Sequence, residues 1–161
     1  AEARHRIDDF WHPYHEALQG QLDQAHLMFG QAILIDCHSM PHEAMDTVAS
    51  RGLRRPEVVL GDRFGAAADG EIVDRIEAAF TRAGLMVTRN TPFAGAYITQ
   101  AYGRPSRGRH AVQIEIDRAL YMNERLIRPN GNFEAFRRLM RDVVREITEI
   151  GRAQAMPLAA E

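Results

Sequence analysis

Four apolar residues, Ala32-Ile-Leu-Ile35, run between Gly30 and Pro41 and end abruptly in Asp36-Cys37-His38. No other stretch narrows the possible folds so much. A run this short and this apolar, punctuated on both sides, reads as a strand buried on both faces, which requires helices over the sheet. Side chains alternate along a strand, so Asp36 and His38 project to one side and Cys37 to the other. In open α/β sheets ligands bind outside the carboxyl ends of the strands. The polar end of the run is therefore a candidate site. The same spacing also suits a histidine satisfied by a main-chain carbonyl.

Composition sets the class. The 161 residues suit a single α/β domain over 1–161, long enough to bury a substantial core. No apolar run approaches the roughly 18 residues of a membrane span, and no charged-then-apolar leader marks the chain for export. The one cysteine, Cys37, cannot form an internal disulfide, which fits a cytoplasmic setting. A net charge of −2 argues against broad nucleic-acid binding. All 20 basic residues are arginine, which excludes Schiff-base chemistry on a lysine.

Taken in order, residues 1–29 read as helical, with Ile7, Phe10, Trp11, Tyr14, Leu18, Leu22 and Leu27 near helical spacing. Pro13 should kink this helix or start a second one around Trp11 to Pro13. His12 and His15, spaced i, i+3, suit either a metal or simple packing and solvation. After a polar stretch from His42 to Arg55, Val58 to Leu60 form a second buried strand ending in Gly61-Asp62-Arg63. A guanidinium there suits bidentate capture of a carboxylate, or a structural pair with Asp62. Glu71 to Ala83 is an amphipathic helix with Ile72, Ile76, Ala79 and Phe80 inward, stopped by Gly84 before a strand over 85–88. The βαβ alternation implies a largely parallel sheet, in which the strand ending in Arg63 lies beside the one carrying His38.

The segment from Asn90 to Pro105 mixes Gly and Pro with Tyr97, Thr99, Tyr102 and Arg104, as in a loop-rich binding segment. Next comes a clear strand in which Val112, Ile114 and Ile116 face one side and Gln113, Glu115 and Asp117 the other. A carboxylate turned inward on a central strand is costly unless paired or functional. Glu115 is thus the best candidate general base; the alternatives are a partner for Arg118 or a solvated edge. Asn132 then caps a long helix with Phe133, Phe136, Leu139, Met140, Val143, Val144 and Ile147 inward, and residues 154–161 are expected to fray.

Several of these segments together, Asp36-Cys-His-Ser-Met-Pro41, Gly61-Asp-Arg-Phe-Gly65, Asn90-Thr-Pro-Phe-Ala-Gly95 with Tyr97, Tyr102-Gly-Arg-Pro105 and Gln113-Ile-Glu-Ile-Asp-Arg-Ala-Leu-Tyr-Met122, closely resemble the N-formylglutamate amidohydrolase family. The resemblance runs from Phe10-Trp-His-Pro-Tyr-His15 to the last helix. It implies a three-layer α/β/α fold like that of zinc peptidases, with a mixed, largely parallel sheet. It also implies zinc-dependent hydrolysis of N-formyl-L-glutamate to formate and glutamate, a closing step of histidine degradation. On this resemblance His38 matches a zinc ligand with Asp36 as its orienting neighbour, and Glu115 matches the base that takes a proton from the zinc-bound water. Arg63 and Asn90 match substrate-binding positions, with Tyr97 and Arg104 as further ones, and Ala96 stands where the family pattern has Gly. The Pro-His-Ser-Gly-type motif that would supply the first zinc ligands has no match here, so the zinc site is expected to be incomplete in this chain. Three readings follow: an N-formylglutamate amidohydrolase, a related N-acyl-amino-acid deacylase or zinc peptidase, or a catalytically silent remnant serving as a binding domain.

Overall fold

The computed structural model describes residues 2–46, 48 and 55–153. Helix α1 (Glu2–Arg6) runs through a π-helical turn (Ile7–Trp11) into α2 (His12–Phe29). Pro13 has no N–H to offer the preceding turn and its ring crowds the carbonyl four residues back; the wider π turn sits over that position and keeps the helix unbroken. Gly30, at φ +74°, ends α2 with its N–H on the His26 carbonyl at 2.8 Å. The chain then forms β1 (Ala32–Met40), β2 (Val58–Gly61), α3 (Gly70–Arg82), β3 (Val87–Arg89), α4 (Tyr97–Tyr102), β4 (Arg109–Asp117), a small hairpin of β5 (Met122–Asn123) with β6 (Arg128–Pro129), and α5 (Phe133–Ala153).

The main sheet has the order β1-β4-β2-β3. β1 lies parallel to β4 and β2 parallel to β3, while β2 runs antiparallel to β4. The sheet is therefore mixed, with two parallel pairs, in keeping with the fold class expected. Its order corrects one expectation. β2 is not beside β1, because the strand carrying Glu115 lies between them.

Helices cover both faces, and the strand alternation decides which side chains each face presents. Val58, Leu60, Val112 and Ile114 pack against Ile72, Val73, Ile76, Ala79 and Phe80 of α3 and Phe136, Val143 and Ile150 of α5. On the other face Ala32 and Leu34 meet Leu18, Leu22 and Ala25 of α2 and Ile98, Ala101 and Tyr102 of α4. Further along that second face, Met40, Met45, Val59 and Phe93 make a smaller cluster. Phe80 is completely buried, and its truncation to alanine would cost about 3–5 kcal/mol.

Four readings are corrected here. β1 extends to Met40, so Asp36 and His38 lie within the strand and not past its end. On the first helix only Leu22 is buried: Ile7, Phe10, Trp11 and Tyr14 lie ahead of the Leu18, Leu22 and Ala25 stretch that meets the sheet and stay exposed, and Leu27, 86% exposed, is not among the residues packed there. Val144 is half exposed, and Ile150 takes the inward position further along α5. Asn132 uses its side-chain amide to reach the Leu120 carbonyl at 2.8 Å, tying α5 to the preceding turn. Parts of the polar stretch between His42 and Arg55, and residues 154–161, lie outside the described residues. Among the described residues no helix is long and apolar enough to cross a membrane.

His110, 4% exposed at the start of β4, accepts the Asp69 N–H at Nδ1 (3.3 Å) just before α3. Burial pushes its pKa below the usual value, with Asp69 opposing in part. A histidine depressed in the folded state binds its proton more readily unfolded, so its contribution is present above its ordinary pKa of about 6.5 and is lost as pH falls below it. Melting measured from pH 7.5 to 5 should show a falling midpoint, and the slope should be shallower in His110→Gln.

Candidate active site

The β1–β4 register brings the sequence candidates together. His38 lies opposite Glu115 and Asp36 opposite Gln113, while β2 brings Val59 and Gly61 alongside on the other flank of β4. All these positions share the face covered further down by α2 and α4. His38 Nε2 stands 3.0 Å from Asp36 Oδ2, and His38 Nδ1 stands 4.0 Å from Glu115 Oε1. The imidazole is thus set between two carboxylates and is itself part open, its side chain 44% exposed. The Asp36 contact is close but off-axis for a ring N–H, so Asp36 Oδ2 is buried with no hydrogen-bond partner.

Glu115 is 8% exposed on a central strand. It is neither a solvated edge residue nor the partner of Arg118, whose guanidinium goes to the Ser39 hydroxyl and carbonyl at 3.1 Å each. Burial pushes the Glu115 carboxyl above its usual range; His38, the Gln113 hydrogen bond and Arg118 pull it back, and Asp36 adds to the rise. A carboxylate with a raised pKa, beside a part-open imidazole, is suited to accept a proton.

Arg63 sits on a turn of unusual backbone. Arg63 and Phe64 both have φ +56° and Gly65 φ +85°, three left-handed residues in succession. Asn90, itself at φ +58°, fastens this turn. Its Oδ1 accepts from the Asp62 and Phe64 N–H groups at 3.1 and 3.3 Å, and its Nδ2 donates to Asp62 Oδ1 at 2.6 Å. Asp62 Oδ2 takes the Gly65 N–H at 3.1 Å, so both carboxylate oxygens are used within the turn and neither pairs with Arg63. The guanidinium has no ion-pair partner among the described residues. Because β2 runs antiparallel to β4 and lies two strands from β1, the turn bearing Arg63 leaves the sheet past the Gly61–Gln113 pair, toward the beginning of β4, and not beside His38 as the expected parallel order had it. The turn tip also carries Phe64, 78% exposed. Strained backbone that the surroundings hold in place clusters at binding sites.

The expected loop-rich segment contains helix α4, and two of the candidates lie at its ends. Tyr97, half exposed, belongs to an aromatic group with Trp11 (6.1 Å) and His15 (5.4 Å), whose Nδ1 in turn meets the Tyr102 hydroxyl at 2.6 Å. Arg104 turns its guanidinium back onto the Gln100 and Gly103 carbonyls at the end of α4. It serves there as a helix-end clamp, and the structure does not bring it to the His38–Glu115 pair. Ala96 is extended at φ −102°, a conformation open to any residue, so no glycine is needed there.

Gln113 escaped the sequence reading as a site residue. It accepts the Ala96 N–H at 2.8 Å and donates to Glu115 Oε1 at 2.8 Å. The alternation that singled out Glu115 had placed Gln113 on the same face, and a buried amide two residues away needs partners. His42, at the start of the polar stretch, bonds the buried Asp117 carboxylate at 2.7 Å.

Among the described residues no three His, Cys, Asp or Glu side chains are grouped to hold a metal. What is present fits one corner of such a site: an imidazole, a buried carboxylate oxygen without a donor behind it, and a base beside it.

The N-formylglutamate amidohydrolase family model matches residues 1–122. The chain belongs to this family. It is 33% identical over 151 residues to an N-formylglutamate deformylase of Pseudomonas aeruginosa, a match covering 92% of this chain and 55% of that protein. It is 32% identical over 124 residues to the N-formylglutamate deformylase of Pseudomonas putida, covering 76% of this chain and 45% of that one. The crystal structure of an N-formylglutamate amidohydrolase from Ralstonia eutropha JMP134 superposes with a TM-score of 0.81 at 33% identity, over 94% of this chain and 54% of that one. The chain thus spans about half the length of the curated relatives it matches.

Asn90 provides a direct test of the turn. If its amide latches the three left-handed residues, Asn90→Ala removes three hydrogen bonds and should destabilise the fold by about 2–4 kcal/mol. Chemical denaturation measures this, and an unchanged midpoint would return Asn90 to a purely substrate-facing role.

Proposed function

We propose that this chain carries the base and substrate-gripping part of an N-formylglutamate amidohydrolase, which hydrolyses N-formyl-L-glutamate to formate and L-glutamate within histidine degradation. The observation that carries the reading is the His38–Glu115 pair, held face to face by the β1–β4 register in a chain of this family. Relatives named as deformylases of N-formylglutamate support the substrate.

The proposed cofactor is zinc, with His38 as its ligand in this chain and further ligands from outside the described residues. With Nε2 turned to Asp36, Nδ1 is the nitrogen left to ligate, and it is the one that faces Glu115. When bound, zinc supplies a Lewis acid and a water acidified to near neutrality. Glu115 takes a proton and, once protonated, can return it to the departing amine nitrogen. Arg63, whose guanidinium has no ion-pair partner among the described residues, receives a substrate carboxylate through its planar fork, and Tyr97 walls the same face. Asp36 fixes the imidazole from behind. The setting proposed is cytoplasmic, with a small molecule as the partner.

Formate release from N-formyl-L-glutamate, compared with release of the acid from N-acetyl and N-succinyl analogues, tests the assignment. Preference for a larger acyl group would move the chain to the related deacylases. Absence of both turnover and bound zinc would leave a binding domain.

Two substitutions test the roles. Glu115→Gln keeps the shape but cannot take a proton, so kcat should fall on the order of 10²–10⁴-fold with zinc content unchanged by elemental analysis. Arg63→Lys keeps the charge and loses the fork. A bidentate charge-assisted contact contributes about 1.5–3 kcal/mol, so KM should rise roughly tenfold or more with little change in melting midpoint. A lowered midpoint with unchanged KM would make Arg63 structural.

A further inference from the structure

Gln113 is 4% exposed and makes one hydrogen bond in each direction. Its Oε1 accepts the Ala96 N–H at 2.8 Å, and its Nε2 donates to Glu115 Oε1 at 2.8 Å. Turned through 180°, the amide would set its NH₂ against the Ala96 N–H and its carbonyl against the carboxylate. Two donors and two acceptors would then face each other in a buried space. The Ala96 N–H therefore decides which end of Gln113 meets Glu115.

That N–H is itself fixed. Gly61 is the β2 register partner of Gln113, and a Cβ on Gly61 would come within 2.5 Å of Gly95 N and 2.8 Å of Ala94 C. The 94–96 backbone thus rests directly on the strand beside Gln113. Gly95, at φ +108°, makes the bend that this approach requires, and a Cβ there would strike Thr99 Oγ1 at 2.5 Å. Thr99 is completely buried and bonds the Ala96 carbonyl at 2.8 Å, locking the other side of the same residue.

We propose that Gln113 is a positioning residue for the hydrolytic base. Through the orientation that Ala96 imposes, it holds Glu115 by Oε1 in the conformer that faces His38. It leaves Oε2, which takes no hydrogen bond among the described residues, as the oxygen that accepts the proton. This inference rests on the reading of Glu115 as base and gives that base its geometry. A carboxylate on a strand has free side-chain torsions, and a base displaced by about 1 Å can lose on the order of 10²-fold in rate.

Gln113→Met keeps the approximate length and removes both halves of the amide. Its kcat for formate release should fall about 5- to 30-fold with KM within about twofold. A crystal structure of the variant should show Glu115 Oε1 moved from its place 4.0 Å from His38 Nδ1. Replacing Ala96 by lactic acid, which turns this one peptide bond into an ester, removes the N–H alone, with Gln113 and Glu115 intact, and should lower kcat in the same way without raising KM. Unchanged kcat in both variants, a rise confined to KM, or Glu115 still in place in the Gln113→Met crystal structure overturns the proposal. If Gln113→Met does not fold, the Ala96 ester decides by the same readings. If the unsubstituted protein releases no formate, the functional reading fails by itself, and the Glu115 conformer in the variant structures still decides the role of Gln113.

Discussion

The parallel pairing of β1 with β4, in one register, is the constraint on which the site depends. A slip of one residue would turn every β1 side chain to the opposite face, sending His38 into the α3–α5 core and Cys37 to the site. The register is pinned where the two strands begin. Ala32 N–H bonds the Gly108 carbonyl at 2.8 Å, and His26 Nε2 meets the Arg107 carbonyl at 2.8 Å. A Cβ on Gly108 would come within 2.9 Å of the Gly30 carbonyl oxygen, so the two glycines bring helix end and strand start together. From that anchor the alternation carries six residues up β1 to His38 and six up β4 to Glu115. The apolar half of each strand fixes the phase, and the polar half uses it.

A second constraint joins the site to the far edge of the sheet. Gly61 admits the 94–95 backbone, which brings the Ala96 N–H over Gln113, while Asn90 at the other end of the same segment fastens the Asp62–Phe64 turn. One connection thus holds both the base and the strained turn bearing Arg63. The chemistry of the two ends differs, a buried amide relay at one and, at the other, a guanidinium with no ion-pair partner among the described residues, but their spacing is set by the same short length of chain.

Much of this was legible in the sequence because it follows from period and punctuation. Alternation placed Asp36 and His38 on one side of β1, and Gln113, Glu115 and Asp117 on one side of β4; the structure puts them there. The inward positions Ile72, Ile76, Ala79 and Phe80 of α3 follow from helical spacing. What could not be read is what depends on pairing between distant strands. Nothing local in Val58–Gly61 distinguishes a strand parallel to β4 from one antiparallel to it, so the approach of Arg63 was misjudged. Asn90 has the residue type of a binding group and also of a left-handed turn, and only the three-dimensional proximity of Asp62 separates these uses. The apolar residues of the first helix kept helical period, but periodicity does not reveal that the sheet beneath stops short of Ile7, Phe10 and Tyr14.

The carboxylates along the polar face show how the site differs from the scaffold around it. Asp117 is fully answered, by His42 on one oxygen and the Ala119 N–H on the other at 2.9 Å. Glu115 has Gln113 on one oxygen, and the other takes no hydrogen bond among the described residues. Asp36 Oδ2 is buried with no donor, an arrangement that costs about 1–3 kcal/mol if nothing relieves it. The nearest group able to relieve it is the His38 Nε2–H, 3.0 Å away and off-axis. A small rotation of the imidazole would complete that bond, and a cation on Nδ1 would strengthen it by making Nε2–H a better donor. Under the proposed zinc binding, the unmet need of Asp36 therefore becomes part of the affinity for the metal. The bound cation would favour the completed bond, with His38 aligned by the same step that loads the site.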